Sequence, residues 1–174
     1  LAKGEVKDLV EAFGAAAGRG KKAGFDAIEI HGAHSYIVNQ FLSPFTNKRT
    51  DEYGGSLENR VRFAKEILER IRGEVGENMP VFFRMVGEDH YAGPGIDIEE
   101  AKRQAPFLVE AGADVLDVSA GSSLLEAVGW NIPSMRFPRG VNLHLSQEIK
   151  KVVDVPVIGT GRINDPDFAE QALR

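Results

Sequence analysis

The feature that most constrains how this chain can fold is an internal echo. The run Ala23-Gly24-Phe25-Asp26-Ala27-Ile28-Glu29-Ile30 returns as Ala111-Gly112-Ala113-Asp114-Val115-Leu116-Asp117-Val118. In each copy a helical pattern ends at Gly, Asp opens a strand, and the strand alternates apolar with acidic residues, as two equivalent turns of a βα repeat would. Short runs rich in β-branched or aromatic residues recur at 25–30 (FDAIEI), 81–84 (VFFR), 113–119 (ADVLDVS) and 155–159 (VPVIG), and they predict four strands. Strands this apolar suit a parallel sheet covered by helices. A doubly wound sheet and a (β/α)8 TIM barrel both fit the alternation, but no G-x-G-x-x-G follows the first strand, which favours the barrel.

The intervening helices carry their own signals. Ser56 is a natural N-cap for a segment whose apolar residues Leu57, Val61, Ala64, Leu68 and Ile71 form one stripe at the helical period. Asp97 followed by Glu100 predicts a capping box for a helix over 98–111, and Asp165-Pro166 predicts another helix start. Two features oppose their helices. Gly14, Gly18 and Gly20 each cost roughly 1 kcal/mol relative to Ala within a helix over 5–23, so its later half is expected to fray. Pro106 removes a hydrogen bond mid-helix and is expected to kink or split it, at roughly 3 kcal/mol.

Composition narrows the function classes. With 43% hydrophobic and 27% charged residues, the 174-residue chain reads as one soluble globular domain, 1–174. Its net charge of −5 and lack of a basic cluster argue against nucleic acid as a partner. No apolar run approaches the roughly 20 residues that cross a bilayer, and no secretion signal opens the chain, so a cytoplasmic location away from membranes is expected. The chain has no Cys, and hence no thiol nucleophile and no ligands for a thiolate-bound metal or iron–sulfur cluster.

In a barrel the working residues lie at the carboxyl ends of strands. After the first strand come His31, His34 and Tyr36, two imidazoles and a phenol that converge if the chain turns into a short helix. Imidazole can donate to a carbonyl oxygen and phenol can deliver a proton. Hydrogen-bonded core histidines with a packing Tyr remain the alternative, and a metal at H-x-x-H lacks an evident third ligand. Arg84 ends the second strand, where it needs either a carboxylate or a cofactor anion. Ser119 and Gly121 read as the start of a loop. Gly159-Thr160-Gly161 is a turn permissive enough for backbone N–H groups to approach a phosphate.

The run GFDAIEIHGAHSYIVNQFLSPFTNKRTDEYGGSLENRVRF from Gly24 closely resembles the old yellow enzyme family of FMN-dependent oxidoreductases, with NKRTDEYGGSLENR, 47–60, its most specific block. The stretch from Trp130 through PRGVNLHLSQEIKKVVDVPVIGTGRINDP is more similar to the large members of that family: 2,4-dienoyl-CoA reductase, 2-enoate reductase and trimethylamine dehydrogenase. The resemblance implies an incomplete (β/α)8 barrel, from about its third helix through strand seven and the start of the following helix. It implies FMN as cofactor, NAD(P)H as reductant, and a small-molecule activated alkene as substrate. His31 and His34 would grip the substrate's carbonyl oxygen, Tyr36 would protonate the α-carbon, Arg84 would face the N1/O2 edge of the flavin, and Gly161 would contact phosphate through its backbone. The implied mechanism is ping-pong, with hydride passing from flavin N5 to the β-carbon. An iron–sulfur cluster and FAD, which large members carry, would lie outside these residues. The additional active-site His of dienoyl-CoA reductases has no counterpart in the loop 121–140. Two other readings stay open: an amine-dehydrogenase-type oxidoreductase, and a non-catalytic barrel fragment whose open strand edges associate with the missing strands or with another copy, so a homo-oligomer is expected.

Overall fold

Four parallel strands, ordered as they occur in the chain, organise the residues described by the computed structural model, 1–123 and 128–174. They are β1 (Ile28–Gly32), β2 (Val81–Glu88), β3 (Val115–Ala120) and β4 (Val157–Gly159). Helix α1 (Lys3–Lys22) precedes β1; α2 (Ile37–Leu42) and α3 (Leu57–Val75) cross over to β2; α4 (Ile98–Glu110) crosses to β3. Then α5 (Val128–Asn131) and α6 (Leu143–Lys150) lead to β4, and α7 (Pro166–Ala172) follows. Parallel neighbours require such crossovers, because a tight turn can only return the chain antiparallel.

The strands stand where the patterns put them, with ends displaced by a few residues. The first begins at Ile28 rather than 25 and continues to Gly32, which places His31 inside the strand. The second runs on to Glu88, so Arg84 lies mid-strand rather than at its end. Alternation then sorts the side chains. Ile30, Phe83, Met85, Leu116 and Val118 are buried on the helix-covered face, where Cβ atoms added at Gly87 and Gly159 would meet Leu145 and Leu143 of the α6 helix. By the same alternation Glu29, His31, Phe82, Arg84, Val115, Asp117 and Ile158 lie on the opposite face. Ile158 is 40% exposed there.

Two expectations about helices fail for identifiable reasons. The first helix does not fray: Gly14 and Gly18, four apart, lie where a Cβ would come within 2.7 Å of Arg70 and 2.6 Å of Glu74, so these glycines admit close packing against α3. Pro106 does not split α4, which runs unbroken through it. The proline is on the exposed side of the helix, where water can satisfy the carbonyl one turn back.

The caps largely form. Ser56 Oγ accepts from the Asn59 N–H at 3.3 Å, Asp97 from Glu100 at 2.8 Å, and Asp165 from Phe168 at 3.1 Å. The capping box at Asp97 is half made, because the Glu100 carboxylate is buried and taken by the Arg60 guanidinium. That guanidinium also donates to the carbonyls of Leu42 and Gly55. The block 47–60 therefore works as a clamp on the connection between α2 and α3. Asn47 Nδ2 donates to the carbonyls of Phe41 and Tyr53, Arg49 pairs with Asp51 at 2.6 Å, and the Tyr53 hydroxyl donates to Glu66 at 2.9 Å. None of the described helices is long and apolar enough to cross a membrane.

Candidate active site

His31, His34 and Tyr36 come together at the carboxyl end of β1. The two imidazole centroids are 5.1 Å apart, and the Tyr36 ring lies 4.9 Å from that of His31. The convergence does not come from a helix face, as the spacing predicts. His34 and Ser35 occupy the left-handed region, at φ of 58° and 63°, and this turn swings the chain back before α2 starts at Ile37. A non-glycine residue in that region costs about 1–2 kcal/mol, so the turn must be held from outside.

The β registers extend the site across the sheet. His31 is paired with Arg84 on β2, and Arg84 with Asp117 on β3. Arg84 Nε stands 3.6 Å from the Asp117 carboxylate, is buried, and has no hydrogen-bond partner among the described residues. Asp117 Oδ1 is likewise buried without one. The ion-pair alternative for Arg84 is thus partly realised, with donor capacity left over. Burial raises the pKa of Asp117 while the Arg84 charge opposes the rise; burial and Asp117 raise that of Glu29. Glu29 and Asp117 are the equivalent acidic positions within the two strands of the sequence echo, so the echo carried a signal for this charged row.

Both imidazoles are held neutral. Burial lowers the His31 pKa, with the Arg84 charge adding to it. His34 is lowered to about 4 by burial, then by the charges of Arg84 and His31. His34 Nε2 shares a 2.8 Å hydrogen bond with Ser119 Oγ, so Ser119 is a partner of the site and not merely the start of a loop. Tyr36 is 58% exposed and open to a ligand. Ser35, Ser119 and Tyr91 carried no local signal for the site, because their contacts join parts of the chain far apart in sequence.

Gly161 lies at the opposite edge of the sheet, beyond β4, at φ 115°; a Cβ there would come within 2.8 Å of the Asn142 backbone nitrogen. Three inter-strand spacings, roughly 14 Å, separate the β1 and β4 ends of the site. Arg162, also left-handed, donates to the Phe137 carbonyl at 2.6 Å, a structural contact. Of the predicted residues, His31, His34, Tyr36 and Arg84 form one group, and Gly161 stands apart from it.

The loop after β2 closes over Asp89. Its Oδ2 accepts from the Ile96 N–H at 2.8 Å and from Ser43 Oγ at 3.1 Å, while Oδ1 is buried without a partner. Burial pushes this carboxyl up to about 6. An acid whose pKa is raised by folding favours the native state most when protonated in both states, so its contribution is fully present at about pH 3 and lost as pH rises through 6. Asp89→Asn keeps an acceptor for Ile96 and Ser43 and removes the charge. It should therefore stabilise the chain at pH 7 by on the order of 2 kcal/mol, with the gain disappearing by about pH 3. Urea unfolding at both pH values measures this; equal gains at both would show that ionisation is not the cause.

Comparison with known proteins shows the family. The family model described as NADH:flavin oxidoreductase / NADH oxidase matches residues 1–174. The chain is 46% identical to an NADH oxidase of Thermoanaerobacter brockii over 97% of its length and 26% of the relative's. It is 41% identical to a cinnamate reductase of Clostridium sporogenes, again over 97% of this chain and 27% of the relative. It thus spans about a quarter of the length of these relatives. Among solved structures, a 2-naphthoyl-CoA reductase in complex with 2-naphthoyl-CoA superposes with TM-score 0.92 and 35% identity, covering 99% of this chain and 26% of that one. A histamine dehydrogenase from Rhizobium sp. 4-9 superposes with TM-score 0.87 and 36% identity, covering 100% and 25%. The four strands are a portion of the predicted (β/α)8 barrel. The chain belongs to the NADH:flavin oxidoreductase / NADH oxidase family.

Proposed function

We propose that these residues form the substrate-facing part of an FMN-dependent NAD(P)H oxidoreductase that reduces activated C=C bonds of small molecules. The observation that carries the reading is the cluster itself: two neutral imidazoles and an exposed phenol beside a half-buried cation whose buried Nε is an unused donor. FMN fits this set, since the Arg84 Nε has no hydrogen-bond partner among the described residues and faces the same side of the sheet as His31. Arg84 would hold the N1/O2 edge of the ring system, and the Gly161 backbone, kept free of a Cβ, would approach the phosphate. When bound, FMN supplies hydride chemistry, taking a hydride from NAD(P)H and giving it to the alkene.

The chain's own residues do the rest. His31 and His34, neutral at pH 7, can donate to the carbonyl oxygen of an unsaturated acid or thioester and draw electron density from its double bond. For His34 to donate through Nδ1, Ser119 must be the donor to Nε2, so that bond would select the tautomer. The Tyr36 hydroxyl is available to protonate the α-carbon. The cinnamate and naphthoyl-CoA reductase relatives support a conjugated substrate. We further infer a cytoplasmic, homo-oligomeric protein in which 1–174 is part of the FMN-binding barrel domain; any iron–sulfur cluster must be held by other residues, since this chain has no Cys, and any FAD is likewise inferred to lie outside 1–174.

The histamine dehydrogenase neighbour favours a second reading, oxidation of an amine. Anaerobic mixing of the purified whole protein with NADH, NADPH or a primary amine separates the two. The proposal expects the visible flavin band to bleach with a nicotinamide and to return on adding an activated alkene; bleaching by the amine alone would replace it.

A further inference from the structure

The turn that carries His34 and Tyr36 is held by bonds from three other parts of the chain. From α2, Asn39 Oδ1 accepts from the Ser35 N–H at 2.8 Å, and Gln40 Nε2 donates to the Ser35 carbonyl at 2.7 Å. From the loop after β2, the Tyr91 hydroxyl shares a 2.9 Å hydrogen bond with Ser35 Oγ. From the loop after β3, the Ser123 N–H donates to Ser35 Oγ at 3.3 Å, and Ser123 Oγ donates to the His34 carbonyl at 2.7 Å. The Ser35 hydroxyl is therefore where three strand-end loops meet. Two consecutive non-glycine residues in the left-handed region persist only when their surroundings over-determine them. Tyr91 is itself fixed, its ring 4.6 Å from that of Phe45 and its loop closed by Asp89 and Ile96.

From this geometry we infer that Ser35 and Tyr91 are positioning residues: the hydrogen bond between them locks the turn and so sets where the His34 imidazole and the Tyr36 phenol stand. Without it the turn keeps its local α2 bonds, the Ser123 contacts to Ser35 and His34 and the His34–Ser119 bond, and loses its tie to the loop after β2 against two unfavourable φ angles. It would then relax toward ordinary backbone and carry His34 away from Ser119 and into water. The inference rests on the reading of His34 and Tyr36 as the substrate pair, but its first test needs neither substrate nor cofactor.

That test is the titration of the His34 ring, followed by NMR in the 15N-labelled chain. Burial holds it at about 4, so a ring released to water moves toward the ordinary histidine value. Tyr91→Phe keeps the ring against Phe45 and removes only the hydroxyl. Ser35→Ala removes the hydroxyl that also takes the Ser123 N–H. We expect both to raise the His34 midpoint, Ser35→Ala by at least one pH unit, and the double variant to shift it no further than Ser35→Ala does. A purely structural role would lower stability and leave the midpoint of the folded state unmoved. An unchanged midpoint in Tyr91→Phe, which decides the matter if Ser35→Ala does not fold, overturns the inference.

In the whole protein, Tyr91→Phe should lower kcat for the alkene about tenfold, as a displaced reacting group does, while consumption of NAD(P)H in the other half-reaction is unchanged. A moved His34 with undiminished alkene turnover would overturn the substrate-pair reading and leave the positioning intact. An unmoved His34 with lost turnover would do the reverse.

Discussion

Tyr36→Phe in the whole protein is expected to slow reduction of an activated alkene by on the order of 10²–10⁴, the usual worth of a positioned proton donor, while NAD(P)H consumption by the oxidised enzyme stays nearly unchanged. In free energy that is about 3–5 kcal/mol off transition-state stabilisation. The expectation follows from where the hydroxyl is. Tyr36 caps α2 without a side-chain hydrogen bond, its ring rests on His31, and more than half of its surface is exposed. Replacing the hydroxyl by hydrogen should therefore leave the fold alone. Stopped-flow measurement of the two half-reactions separates the outcomes. Equal slowing of both would make Tyr36 a packing residue, and no slowing of either would move proton delivery to water or to another group.

The second large effect is on stability. Arg60→Ala should destabilise the chain by about 3–5 kcal/mol, because it leaves the Glu100 carboxylate buried without its main partner. For a chain of this size that lowers Tm by roughly 10 °C. Arg103 and the Gln104 amide also reach Glu100, but Arg103 is largely exposed and Gln104 is neutral. Adding Glu100→Gln to Arg60→Ala should recover part of the loss, since the unpaired charge is then gone. Thermal and urea unfolding of the single and double variants check this. A loss below about 1 kcal/mol in the single variant would mean that Arg103 and water take over the carboxylate.

These two residues also show how the sequence misleads. The block 47–60 is the most specific part of the family resemblance, yet its side chains clamp a loop and close a buried ion pair. The residues assigned to chemistry lie outside it, at the end of β1 and in the turn that follows, at one position of β2 and just beyond β4. Specificity of a motif therefore measured how tightly its residues depend on one another, here through Asn47, Tyr53 and Arg60, and not how near they stand to the reaction.

Local pattern alone determined the alternation of strands and helices, the parallel sheet, and the caps at Ser56, Asp97 and Asp165, because each depends on residues within a few positions of one another. It also placed His31, His34 and Tyr36 close together, since three residues so near in sequence cannot be far apart in space. Tertiary structure decided the rest. It turned Gly14 and Gly18 of α1 from a weakness into a packing surface, and it left Pro106 on an exposed face where its missing N–H costs little. It aligned His31, Arg84 and Asp117 by strand register, and it brought Tyr91 and Ser123 from two other loops, and Ser119 from β3, around the turn at Ser35. Such contacts join residues tens of positions apart, whose meeting depends on the register of parallel strands, and no short-range periodicity encodes that register.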